Sequence, residues 1–295
     1  MAGPTASGKT DLAIALAQEL GSVIINADSR QIYQGLDIGT AKPTPAQRAL
    51  VPHHLVDWVP PTATVTVAEY QQAAQALIAD YQRRGITPLL VGGSGLYIQA
   101  VVQGLKIPPV PPQPQLRQQL ATYSQPERYQ FLQQVDPASA AKIHPHDAVR
   151  TLRALEVYYV TGTPLSQCQG QAPPDYPVLF LYLDSQQLAQ RIARRTAQMF
   201  AQGLVEETQY LRATYGADLP LLKTLGYREV GLYLDRAIDL EQARALVIHH
   251  TRRLAKQQRT WFRAQPGRVH LEADRPDLVP YAWQKVQDFL RAISY

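Results

Sequence analysis

Residues Gly3–Thr10 read GPTASGKT, a G-x-x-x-x-G-K-T pattern, followed by DLAIALAQEL up to Leu20. Glycines at this spacing let successive backbone N–H groups converge on an anion. The helix predicted over Lys9–Leu20 adds the positive end of its dipole. Gly3, Pro4, Thr5, Ala6, Ser7, Gly8, Lys9 and Thr10 thus form a candidate phosphate cradle. Lys9 would bridge phosphate oxygens, and the Thr10 hydroxyl would serve Mg²⁺. The motif leaves open whose phosphate is held.

Working outward, four short apolar runs end in small or polar residues: Ser22–Ile25, Pro88–Val91, Val178–Leu183 and Arg268–Leu271. Each reads as a buried parallel strand with a loop at its carboxyl end. Helical patterns separate them over Lys9–Leu20, Val67–Arg84, Ser94–Gly104, Ser185–Gln202, Leu204–Tyr215 and Asp239–Arg263. The alternation specifies an α/β fold: a P-loop NTPase-like parallel sheet flanked by helices. One region departs from it. PPVPPQPQ at Pro108–Gln115 and VTGTPLSQCQGQAPPDYP at Val160–Pro177 bracket helical patterns with no strand between them. The expected organisation is a first core part (1–110), an all-helical insertion (111–176) and a second core part (177–295).

The chain has 295 residues, 45% hydrophobic, enough for a sizeable core. The single cysteine, Cys168, excludes an internal disulfide and any multi-cysteine zinc site. No apolar run reaches the length of a membrane span, and a cytoplasmic monomer is expected. Net charge is +5, yet Arg244–Arg263 alone carries six Lys or Arg residues and no acid. His249, Arg252, Arg253, Lys256, Arg259 and Arg263 recur at three- or four-residue steps, a cationic helix face suited to a phosphate backbone.

No clear Walker B aspartate follows the loop. Asp184 reads as a cap for the helix beginning at Ser185, with a role beside a metal as the alternative. Asp28 ends a predicted strand, where open α/β sheets bind ligands, and is a candidate base or metal ligand. In QRIARRTAQ, Arg191 and Arg195 share a helix face and suit a diphosphate. A nucleotide kinase would use the cradle, the carboxylate and these arginines, but would not need the cationic helix. A non-catalytic nucleic-acid-binding protein would use only that helix.

Longer stretches carry a specific resemblance: GPTASGKT, NADSRQIYQGLDIGTAKP (Asn26–Pro43), HHLVD (His53–Asp57), PLLVGGSGLYIQAVVQGL (Pro88–Leu105), DPASAAKIHPHDAVRTLRALEVYYVTG (Asp136–Gly162), RRTAQMFAQGLVEE (Arg194–Glu207), LKTLGYREV (Leu222–Val230) and TRRLAKQQRTWFR (Thr251–Arg263). In this order they resemble the bacterial tRNA dimethylallyltransferases, or tRNA isopentenyltransferases. The resemblance implies transfer of a dimethylallyl group from dimethylallyl diphosphate to N6 of the adenine immediately 3′ of the anticodon, in tRNAs reading codons that begin with U. It implies that the cradle holds an allylic diphosphate, with Asp28 as general base, Thr5 near the reacting centre, and Arg195 on the leaving group with Mg²⁺. It further implies tRNA contacts at Asp28, Ser29, Arg30, Gln31, Lys42, Ser94, Arg150, Lys223, Arg228, Arg252, Arg253 and Lys256, and an insertion that grips the anticodon stem. HDAVR (His146–Arg150) departs from the commoner NDPQR-like wording. Members carry an apolar strand before the first glycine, and here only Met1 and Ala2 precede it. About five to ten upstream residues are therefore expected, and without them a gap in the sheet beside the active site.

Overall fold

The computed structural model describes residues 1–293. The chain divides into two compact units: Met1–Val65, Gln72–Ile98 and Tyr176 onward form one, and Thr66–Gln71 with Gln99–Asp175 the other. In chain order the elements begin α1 (Lys9–Leu20), β1 (Ile24–Asn26), α2 (Pro45–Leu50), β2 (His53–His54), α3 (Val67–Arg83), β3 (Leu89–Val91) and α4 (Gly95–Val102). The second unit continues with β4 (Leu105–Lys106), α5 (Pro114–Ala121), α6 (Gln125–Val135), α7 (Pro137–Ala140), α8 (Ala148–Thr161), α9 (Leu165–Cys168) and β5 (Gly170–Gln171). The first unit resumes with β6 (Leu181–Asp184), α10 (Leu188–Ala201), α11 (Leu204–Tyr215), α12 (Tyr227–Leu234), α13 (Leu240–Arg263), β7 (Val269–Glu272) and α14 (Leu278–Ile293).

β1 pairs in parallel with β2 and β3, and β6 pairs in parallel with β7. Ala2 joins the two ladders by parallel bridges to Gly92 and Tyr182. Its N–H donates to Leu181 O and its carbonyl accepts from Leu183 N, both at 2.8 Å. The Met1 amino group donates to Leu90 O at 2.6 Å. The sheet is therefore parallel in the order β2-β1-β3-Ala2-β6-β7, a P-loop NTPase-like arrangement. The expected gap beside the loop is not found. Met1 and Ala2 occupy the place between the end of β3 and β6.

Helix α1 is apolar on two sides. Leu12 and Leu16 pack with Leu181, Leu183, Leu271 and Ala282, while Ala13, Ile14 and Ala17 pack with Ile24, Val51 and Val91. A second cluster joins Phe200, Leu204, Tyr227, Val230 and Val247 to Ile32, Tyr33 and Leu36, which follow Asp28. That packing fixes the segment downstream of β1.

The smaller unit centres on Leu120, Leu132, Ala154, Leu155 and Val157. Glu156 is buried there and accepts from Arg117, Arg153 and the Gln113 N–H. By compactness the unit starts near Gln99, ahead of the expected 111, and the antiparallel pair β4 with β5 flanks its helices; between the two proline-rich stretches the described residues form helices and no strand, as expected. Two-residue strands leave too little pattern to be seen in a proline-rich context. Among the described residues no helix is long and apolar enough to cross a membrane.

Candidate active site

The loop of residues 3–8 lies at the carboxyl edge of the sheet, between the Ala2 stub and α1. A Cβ on Gly3 would lie 2.1 Å from Leu183 O, so only glycine lets the loop leave the strand here. Ala6 and Gly8 take left-handed φ of 63° and 93°, the geometry of an anion-binding nest. Gly8 precedes α1 without a side-chain cap, which leaves the first-turn N–H groups for a ligand. The Ser7 hydroxyl is buried and has no partner. Lys9 Nζ donates to Pro4 O at 2.7 Å.

Three charges converge on the loop. Burial pulls Lys9 down to about 7; Arg195 acts in the same direction and Asp28 opposes it. Burial also lowers Arg195, again opposed by Asp28 and by Asp11. Asp28 thus lies near enough to Lys9 and Arg195 to favour the charged form of both. Asp28 is held by its backbone: its N–H donates to Asn26 Oδ1 at 3.1 Å, and its Oδ1 accepts from Arg30 N at 2.8 Å. Gln31 donates to Thr40 O and Ala41 O, and Arg195 donates to Ala41 O at 3.3 Å. Ser94 Oγ accepts from Ser29 N at 2.9 Å.

Arg191 belongs to this group as well. It approaches Ser7 O at 3.4 Å and Gly8, and its other arm binds Asp274 at 2.9 Å. The face it shares with Arg195 is its signal in the sequence. Gln258, an uncharged residue within the cationic run, touches the loop and carries no such signal. Its Oε1 accepts from Thr5 N at 2.8 Å.

Two residues are placed differently from the sequence reading. Lys42 is buried, and its ammonium is spent on Tyr33 O, Asp37 and Asp57, with Arg48 on the other oxygen of Asp57. It ties down the Asp28–Lys42 segment. Asp184 does not cap α10, which begins at Leu188. It accepts from Tyr182 OH, Arg259 and Arg263, while Asp274 takes the N–H groups of Gln186 and Gln187. Arg259 and Arg263 therefore anchor α13 to β6.

Arg252, Arg253 and Lys256 remain exposed on α13. Lys223 is exposed, and Arg228 leans on the buried Glu229, which also binds His250. Trp261 lies against Gly95, where a Cβ would come within 2.4 Å of its indole nitrogen. In the other unit, Arg150 is exposed at the start of α8, 3.4 Å from Asp147. Among the described residues no group of three or more His, Cys, Asp or Glu is placed to hold a metal. The Thr10 hydroxyl offers one neutral oxygen, which fits a cation bound chiefly through phosphate oxygens, as Mg²⁺ commonly is.

Residues 31–265 match the model of the IPP transferase family. The chain belongs to the IPP transferase family. An IPP transferase transfers prenyl groups, so the nucleotide-kinase reading falls. The chain is 59% identical to a tRNA dimethylallyltransferase of Thermosynechococcus vestitus, over 92% of this chain and 88% of the relative. It is 56% identical to one from Synechococcus sp. strain JA-3-3Ab, over 99% and 86%. Among solved structures, it resembles a eukaryotic dimethylallyltransferase described as acting on tRNA, with a TM-score of 0.85 and 26% identity over 99% of this chain and 78% of that one. It also resembles the tRNA isopentenylpyrophosphate transferase of Bacillus halodurans, with a TM-score of 0.73 and 33% identity over 99% and 94%. This IPP transferase thus has near relatives, named tRNA dimethylallyltransferases, across almost its whole length.

Proposed function

We propose that the protein transfers a dimethylallyl group from dimethylallyl diphosphate to N6 of the adenine immediately 3′ of the anticodon, in tRNAs that read codons beginning with U. The observation that supports the site assignment is the uncapped loop before α1, with Lys9 Nζ on Pro4 O and with Asp28 just past the end of strand β1. An exocyclic amine is a weak nucleophile because its lone pair is delocalised into the ring. Asp28 takes the N6 proton as the N6–C1 bond forms, and the C1–O bond breaks with its electron pair passing to the diphosphate. Negative charge develops on the departing oxygens, where Arg195, Lys9 and the loop N–H groups face it. Thr10 would hold Mg²⁺, which when bound supplies further neutralisation of that charge.

The acceptor adenine must leave its stack to meet the donor, and in an anticodon loop it is already unpaired. Arg252, Arg253, Lys256, Lys223 and Arg228 supply phosphate contacts in the larger unit, and Arg150 does so in the smaller. The protein acts as a monomer in the cytoplasm. The test is incorporation of labelled dimethylallyl diphosphate into unmodified tRNA by the folded protein. Incorporation at that adenine is expected, and its absence would sink the reading.

A further inference from the structure

Gln258 sits among the arginines of α13 yet faces the active site. Its Oε1 accepts from Thr5 N, and its Nε2 donates to Gly93 O, both at 2.8 Å. Thr5 belongs to the diphosphate loop, and Gly93 to the loop that follows β3. The residue after Gly93 carries the connection onward. Ser94 N donates to Ala27 O at 3.1 Å, and Ser94 Oγ accepts from Ser29 N at 2.9 Å. These bonds hold the chain on either side of Asp28. One side-chain amide thus spans the loop that holds the leaving group and the loop that braces the base. A side-chain amide offers an acceptor and a donor on one rigid plane, as this bridge requires. A Cβ on Gly93 would come within 2.6 Å of Gln258 Nε2, so the bridge also depends on that glycine.

We propose that Gln258 is a positioning residue for prenyl transfer: it sets the separation between the donor loop and the base loop. The inference rests on the function proposed above. Bond formation needs N6 and C1 at near-attack distance, and a displacement of about 1 Å can cost on the order of 100-fold in rate. The helix does not depend on Gln258 for its own seat, because Arg259 and Arg263 bind Asp184 and Phe262 is buried.

The test compares Gln258→Leu and Gln258→Glu with the wild type. Leucine removes both hydrogen bonds, whereas glutamate keeps the acceptor for Thr5 N and sets an oxygen against Gly93 O. Steady-state kcat and KM for dimethylallyl diphosphate and unmodified tRNA are measured alongside tRNA affinity and thermal unfolding. Both variants are expected to lose kcat, Gln258→Leu by about 10- to 100-fold, with tRNA affinity unchanged and only a small fall in melting temperature. Wild-type kcat in Gln258→Leu overturns the proposal. So does a loss of kcat matched by an equal loss of tRNA affinity or of fold, because Gln258 would then be only structural. Should Gln258→Leu fail to fold, Gln258→Glu is judged by the same outcomes. A wild type that transfers no prenyl group refutes the function itself, a result distinct from either.

Discussion

At Asp28 the carboxylate is placed by local backbone bonds, and its partners Lys9 and Arg195 come from distant parts of the chain. Asp28→Ala should lower kcat by about 10²- to 10⁴-fold, the usual range for a general base, and leave tRNA affinity nearly intact. Equal losses in both would assign Asp28 to binding instead. Lys9 makes a prediction about protons. Held near pH 7 in the free protein, it is largely neutral at pH 8, whereas an anion in the loop favours its charged form. Diphosphate binding should therefore take up a proton at pH 8, and affinity should weaken as pH rises above 7. Calorimetry in buffers of different ionisation enthalpy reads that uptake, and Lys9→Met should abolish it. Release of a proton would contradict the assignment. Much at this scale is legible in the sequence, because glycine, lysine and threonine at fixed spacing have few other uses. The roles of Lys42 and Gln258 are not, since burial and partner choice depend on residues far along the chain.

The helices and strands follow their apolar periodicity closely. α1, α11 and α13 fall almost where the pattern puts them, and all four runs marked as strands are strands. α12 and α14 escape the sequence reading. α14 covers β6, β7 and α1 at the end of the chain, and its apolar residues acquire meaning only from that packing. The cationic run of α13 proves to be two populations. Arg252, Arg253 and Lys256 face solvent, while Arg259 and Arg263 hold Asp184. Changing the first three to glutamine should reduce the salt dependence of tRNA binding, by a slope of about 0.7–0.9 for each phosphate no longer neutralised. Lys42→Met should leave that slope alone and cost about 2 kcal/mol of stability, the scale of hydrogen bonds to charged partners. A changed slope in Lys42→Met would support the direct RNA role.

For the molecule as a whole, the resemblance of ordered motifs reaches further than composition can. It implies a family, and the family model and near relatives agree. The unit boundary is less legible, because proline marks breaks in helices but not the short β4–β5 pair. The smaller unit has its own acid sensitivity. Arg117, the Gln113 N–H and Arg153 outweigh burial and hold Glu156 at about 2, below its ordinary 4.5. A carboxylate held low stabilises above pH 4.5, and that contribution is lost as pH falls through about 2. Glu156→Gln should thus be less stable than wild type near pH 6, with the difference closing on acidification; a difference that widens would refute this. Finally, Trp261 turns α13 into an optical gauge. It is one of three tryptophans, and its ring rests on Gly95, one residue beyond Ser94. With Trp58 and Trp283 replaced by phenylalanine, the remaining emission would come from the junction of the cationic helix and the catalytic edge of the sheet. Arrival of an RNA could then be timed without a label.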